Sequence, residues 1–184
     1  MGSDKALLKV GGRGMLERTA DLLRPLVPEL FLVAGATAPY SGLGLPVIPD
    51  IHPGRGAAGG IHAALRHAAH PLVLCVACDM PHIRRGVIEL LLCSARPGDD
   101  ALLPRVGGLP EPLLAVYSRT SAAGFERAIS AGRLRVVDAL EGLCVHFIDE
   151  AELRAVDAEL RSFVNVNTPK ELAAARLAAA QGKP

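Results

Sequence analysis

The stretch PLVLCVACDMP, residues 71–81, decides the fold. Residues 72–78 carry no charge and no alternation of polar and apolar side chains, so they read as a strand buried on both faces. The run is too short to span a bilayer and ends abruptly at Asp79, followed by Met80-Pro81. Strands buried on both faces belong to sheets that carry helices on either side, and ligands there bind beyond the carboxyl ends of the strands. Asp79 therefore stands where chemistry is expected. An Asp after a strand also opens turns, but the Met80-Pro81 that follows favours a functional reading.

The flanking sequence repeats the pattern. ELFLVAG (29–35) and GLPVIPD (44–50) read as strands, and HPGRGAAGG (52–60) leads into a helical IHAALRHAA (61–69). GMLERTADLL (14–23) is helical, with Pro25 and Pro28 ending it. After residue 81 come a helix in RRGVIELLLCSA (84–95) and strands in DALLPRV (100–106) and PLLAVYS (112–118), joined by the turn-rich GGLPEP. Helices in SAAGFERAISAG (121–132) and RVVDAL (135–140) and a strand in CVHFID (144–149) follow. NTPKELAAARLAAA (167–180) opens the clearest helix, with Thr168 as N-cap, Pro169 at the first position and Glu171 completing a capping box. The expected fold is α/β, a mostly parallel Rossmann-like sheet covered on both faces, in a single domain over residues 1–184.

Composition narrows the function. The chain has 184 residues, half of them hydrophobic, and a formal net charge of +1. With two Tyr, four Phe and no Trp, it lacks the stacking faces of a single-strand nucleic-acid platform, and no basic stripe marks a duplex or membrane partner. No signal-peptide core is present, so a cytoplasmic protein is expected. Cys75 and Cys78 form a C-x-x-C, but on one strand a spacing of three points them to opposite faces, and Cys93 and Cys144 are isolated. All four read as structural thiols. His67 and His70 have no third ligand nearby and read as a solvated helix end.

Three features assemble a candidate site. Asp50 and Asp79 each close a strand, which puts both carboxylates at one rim if the strands are parallel; Asp50 reads equally well as a turn residue. A magnesium ion held by one or two carboxylates and substrate phosphates suits such a rim. The glycines of PGRGAAGGI, Gly59 and Gly60 among them, allow a ligand close to the backbone at a helix start, although glycine-rich segments also serve as plain connectors. Lys5, in MGSDKALLKVGG (1–12), is a flexible charge that can neutralise phosphate or simply be solvated.

The order of the segments MGSDKALLKVGG, LPVIPD, PGRGAAGGIHAAL, VLCVACDMP, PLLAVYSR, AGRLRVVDAL and FVNVNTPKEL resembles the molybdenum cofactor guanylyltransferases, the MobA family, over essentially the whole chain. ACDMP and NVNTP are its most specific parts. The resemblance implies a Rossmann-like nucleotidyltransferase that moves GMP from Mg-GTP to the terminal phosphate of molybdopterin and releases pyrophosphate. It implies Lys5 and Asp79 as catalytic residues, with Asp79 as the magnesium ligand, and Lys5, Asp50, Gly59, Gly60 and Asp79 as nucleotide contacts. Asn165, Asn167, Arg133 and Arg135 become the pterin-substrate side; for the two arginines a solvated helix end is an equal reading. Molybdenum-insertion proteins and molybdoenzymes are the further partners it implies.

Two departures from the family pattern bear on this. Family members begin with a strand and a loop similar to L-A-G-G-x-S-x-R-M-G-x-D-K, whereas this chain starts at the Met-Gly of that loop, so the expectation is an upstream start and weak GTP binding by the 184-residue form. Gly35 stands where the family commonly has Asn. Cytidylyl transfer to the same pterin is the nearest alternative, although Ala-Gly-Gly-Ile (58–61) resembles the Leu-Ala-Gly-Ile of guanylyl enzymes more. A shortened, non-catalytic pterin- or partner-binding module is the alternative from another class.

Overall fold

The computed structural model describes residues 8–35 and 40–180. In chain order the elements are β1 (Lys9–Val10), β2 (Arg13–Gly14), α1 (Met15–Leu23), β3 (Leu32–Ala34), β4 (Val47–Pro49), α2 (Gly56–His67), β5 (Leu72–Val76) and α3 (Arg85–Ser94). They continue with β6 (Ala101–Val106), β7 (Leu109–Pro110), β8 (Leu114–Ser118), α4 (Ala122–Ser130), α5 (Val136–Ala139), β9 (Val145–Ile148), α6 (Glu150–Val156) and α7 (Pro169–Ala180). Each strand and helix read from the sequence within the described residues is present. The β1–β2 hairpin, β7 and α6 are additions. α6 opens with its own capping box, Asp149 with Glu152, whose carboxylate accepts from the Asp149 amide at 3.2 Å.

The main sheet runs β5–β8–β6–β9, with β7 pairing the far end of β6. β3 and β4 pair in parallel, as do β6 and β9. β8 runs antiparallel to both of its neighbours, which the uniformly apolar sequence did not disclose. The cause is local: Gly107 and Gly108, at φ +57° and +79°, make a two-residue turn between β6 and β7, and a turn that tight can only reverse the chain.

Alternation along the strands explains why they lack polar positions. Val73, Ala101, Leu103, Ala115 and Tyr117 point into one core, beneath α2, α4 and α5. Leu102, Leu114 and Val116 point into the other, beneath α3 and α6, together with Val87, Ile88, Leu91 and Leu153. A strand that feeds two cores has no solvent face to make polar. Tyr117 is fully buried, packs edge-on against Phe125 at 5.6 Å, and donates its hydroxyl hydrogen to the Pro112 carbonyl at 2.7 Å. A third, smaller cluster of Val10, Met15, Val166, Leu172 and Ala175 seats α7.

Asp157, fully buried at 0 % exposure, is the one acid in the interior of the described residues. Its Oδ2 accepts the Ser162 amide at 2.8 Å, and its Oδ1 lies 3.3 Å from the Arg84 guanidinium, an ion pair without hydrogen-bond geometry. This ties the end of α6 to the start of α3.

Among the described residues, β3 pairs only with β4 and β5 only with β8 on its ladder. Between them lies a cavity of about 480 Å³. Its walls are apolar: Leu30 to Val33, Leu72 to Ala77, Ile61 and Ala64 of α2, and Leu23 and Val27 at the end of α1. At the carboxyl end of β5 the wall passes to Cys78 and Asp79, with Ala57 and Gly60 of α2 also lining the space.

Gly124 of α4 packs close against α5. A Cβ there would lie 2.8 Å from the Ala139 carbonyl oxygen and 3.2 Å from Leu143 Cδ1. Gly124→Ala should therefore push α5 off α4 and cost about 1–3 kcal/mol, read as a lowered urea midpoint at unchanged m-value.

Candidate active site

The rim at the carboxyl end of β5 is built by backbone hydrogen bonds between segments remote in sequence. The Ala77 amide donates to the Leu113 carbonyl at 2.8 Å, extending the β5–β8 ladder by one step. The Val166 amide donates to the Asp79 carbonyl at 2.8 Å. That second bond brings NVNTP (165–169) alongside Asp79, with Asn165 and Asn167 on either side of the bonded residue. Asn165 Oδ1 is buried and has no hydrogen-bond partner among the described residues. Asn167 is exposed, and its amide and that of Thr168 donate to one oxygen of Glu171, at 2.7 and 2.9 Å. Thr168 Oγ1 in turn accepts the Glu171 amide at 3.2 Å, so the capping box at the start of α7 also fixes the turn beside Asp79.

Glu111 was read as part of a turn and nothing more, yet it stands next to Asp79. Its amide donates to the Pro104 carbonyl at 2.8 Å, which fixes it between β6 and the end of β5. Burial pushes its carboxyl above the ordinary value, against a hydrogen bond from the Leu113 amide and helped by the charge of Asp79. No sequence spacing announces this pair of acids.

Asp50 leaves β4 and accepts the His52 amide at 2.9 Å, which starts the turn into α2. Gly54 and Gly56 continue that turn at φ +78° and +60°, a backbone that side chains resist. The helix begins at Gly56, earlier than the sequence reading put it, so Gly59 and Gly60 lie inside α2 and not in a loop. The Gly59 amide is used within the helix, donating to the Arg55 carbonyl at 3.4 Å. What Gly59 supplies is space: a Cβ would meet the His52 carbonyl at 3.1 Å and Asp50 Oδ1 at 3.2 Å. The N-cap residue Arg55 offers no side-chain acceptor, and the first turn holds no acid, which leaves the amides of Gly56 to Ala58 for an anion.

The other expectations divide. Lys5 lies outside the described residues. Arg133 forms an ion pair with Glu141, and Arg135 is the exposed N-cap of α5. Both sit with the α4–α5 layer and not with Asp79. The C-x-x-C straddles the end of β5, with Cys75 on the strand and Cys78 in the turn beyond it. Burial pushes the Cys75 thiol up to about 12, which suits an inert structural residue. His67 packs edge-on against Phe31 at 4.9 Å. Two other histidines, His52 and His62, meet Glu126 of α4 at 3.0 and 2.9 Å.

A sheet covered on both faces, with acids and a glycine-rich helix start at one rim, is the frame of a nucleotidyltransferase. A 2-C-methyl-D-erythritol 4-phosphate cytidylyltransferase from Thermus thermophilus shares the fold, with a TM-score of 0.73 at 23% identity over 97% of this chain and 95% of that one. The chain belongs to the family of MobA-like NTP transferase domains, whose family model matches residues 1–145. It is 39% identical to a probable molybdenum cofactor guanylyltransferase of Pelotomaculum thermopropionicum, over 97% of this chain and 87% of that protein. A molybdopterin-guanine dinucleotide biosynthesis protein A from Archaeoglobus fulgidus superposes with a TM-score of 0.86 at 34% identity, covering 98% and 92% of the two chains. The protein is thus a nucleotidyltransferase of the molybdenum cofactor guanylyltransferase type. No described helix is long and apolar enough to cross a membrane.

Replacing Glu171 tests the link between the α7 cap and the rim. Glu171→Ala removes the acceptor of two amides and should cost about 1 kcal/mol of stability. Because those amides belong to the turn beside Asp79, substrate affinity should fall by more than the small stability loss accounts for, measured by calorimetry well below the melting point.

Proposed function

We propose that the protein transfers GMP from Mg-GTP to the terminal phosphate of molybdopterin, giving the guanine dinucleotide form of the cofactor and pyrophosphate. The observation that carries this reading is the Val166–Asp79 backbone bond, which joins the strand-end acid to the Asn165–Asn167 segment at one rim. The family membership and the names of the relatives agree with it.

The donor set beside the bond fits a hard cation. Asp79 offers a carboxylate, and Asn165 Oδ1 is a buried oxygen without a partner among the described residues, so the ligands are oxygens only. Magnesium, when bound, would draw the phosphates into line and offset their charge. Asp79 would hold it, and Asn165 would gain the partner that its amide oxygen lacks. The first-turn amides of α2 would receive phosphate or the polar edge of the base, with Gly60 keeping the approach open and Gly59 making room for Asp50, through which it would serve the nucleotide. Asp50 would hold the turn before α2 in shape and contact the nucleotide. Lys5 would offset charge on the reacting phosphates.

In the step itself, an oxygen of the molybdopterin phosphate attacks the α-phosphorus of GTP and the bond to pyrophosphate breaks. Side chains contribute position and charge neutralisation, which is most of what such a transfer needs. Asn167 is exposed and would face the pterin. Arg133 would have to release Glu141 to reach a substrate phosphate; Arg135 carries no ion pair among the described residues and is the freer of the two.

Asp79→Ala should lower GMP transfer by a factor on the order of 10² or more while leaving the circular dichroism spectrum and urea midpoint unchanged. Turnover near the wild-type rate in this variant would remove Asp79 from the mechanism. Pyrophosphate release with molybdopterin and either Mg-GTP or Mg-CTP should favour GTP; the opposite preference would make the enzyme a cytidylyltransferase. Pterin binding with no nucleotide binding at all would make it a non-catalytic module.

A further inference from the structure

We propose that His52, His62 and Glu126 form a second cation site, selective for a borderline transition ion of the Zn²⁺ class and separate from the all-oxygen site at Asp79. Three segments converge there. His52 sits in the turn after β4, His62 in the middle of α2, and Glu126 in the middle of α4. The Nε2 atoms of His52 and His62 lie 3.0 and 2.9 Å from the same oxygen, Oε2 of Glu126. The rings are 4.9 Å apart at a tilt of 46°, and the three donor atoms all fall within 4.8 Å of one another.

Two imidazole nitrogens and one carboxylate oxygen are a donor set that Zn²⁺ accepts, with a fourth position left for water. Ligand bonds of about 2.0–2.2 Å put tetrahedral donor atoms roughly 3.3–3.5 Å apart. The two short separations must therefore open by a few tenths of an ångström. Glu126 can provide this, since its side chain is 47 % exposed on the outer surface of α4. His62 cannot move as easily: its side chain is 4 % exposed, held between α2 and α4. A fixed buried ligand, a half-buried one and a movable surface carboxylate give both a preformed corner and a path in from solvent. Among the described residues His62 Nδ1 is buried without a hydrogen bond, so the polar contact of this ring is the one its Nε2 makes with Glu126.

Occupancy has a mechanical consequence. The His52 amide is bonded to Asp50 Oδ1 at 2.9 Å, so an ion on His52 would pin the turn between β4 and α2 to α4. The ion is a clamp on that turn and takes no part in group transfer. The competing account is that Glu126 only accepts a hydrogen bond from each imidazole.

The test uses the whole chain, stripped with chelator and kept with its thiols reduced. Zn²⁺ is titrated in competition with a chromophoric chelator, and Co²⁺ is added in parallel for its visible spectrum. One equivalent of Zn²⁺ should bind, stabilise the protein to heat, and survive a large excess of Mg²⁺. Glu126→Gln and His52→Gln alter partly exposed side chains and should each weaken binding at least tenfold without unfolding the protein. The Co²⁺ spectrum should show tetrahedral nitrogen and oxygen ligation with no thiolate charge-transfer band. Failure to bind one equivalent, unchanged affinity in both variants, or a thiolate band pointing to Cys75, Cys78, Cys93 or Cys144 would each overturn the proposal.

Discussion

The hydrogen bond from the Val166 amide to the Asp79 carbonyl holds the candidate active site together. Its two ends come from opposite halves of the chain, and each is fixed independently. Asp79 is fixed by β5, which is locked to β8 along its full length. Val166 is fully buried among Val10, Met15, Leu172 and Ala175, where α7 docks. With both partners immobilised, the bond sets where Asn165 and Asn167 stand relative to the acid. A backbone hydrogen bond this constrained positions side chains better than a longer side-chain contact would, because little rotamer freedom remains to be lost.

The two-sided core makes that rigidity available. Alternate residues of β6 and β8 enter different cores, so a shift of one residue in register would exchange the two sets outright. The antiparallel insertion of β8 also places Glu111 and Leu113 against the end of β5, where a parallel neighbour would have brought a different segment. Glu111 thus owes its place beside Asp79 to the Gly107–Gly108 turn. Its raised proton affinity follows from being half-buried near another carboxylate.

Parts of the site were legible for identifiable reasons. The place of Asp79 just beyond β5 was legible because an uncharged run must end somewhere, and the residue at its end stands at the rim of the sheet. Asn165 and Asn167 were singled out through the resemblance of NVNTP, and the capping box of Thr168 and Glu171 was visible as a local pattern. Gly59 was found for a reason the structure changes. It gives room to Asp50 and His52 from within the helix, whereas a ligand-facing loop had been expected. Arg133 shows the limit of such reading, since its pairing with Glu141 depends on how α4 and α5 fold back on each other. The cluster of His52, His62 and Glu126 had no signal, because its members share no spacing that a helix or strand would impose.

The sequence by itself determined the α/β alternation, the burial of the strands on both faces, the start of α7 and the acid after β5. These depend on side-chain period and on neighbours within a few residues. The direction of β8, the company of Asp79, the meeting of two imidazoles with Glu126 and the apolar cavity between β3 and β5 were decided only by the tertiary structure. Each of these rests on contacts between segments tens of residues apart, and such contacts are fixed by packing and backbone pairing, which leave no periodic mark along the chain.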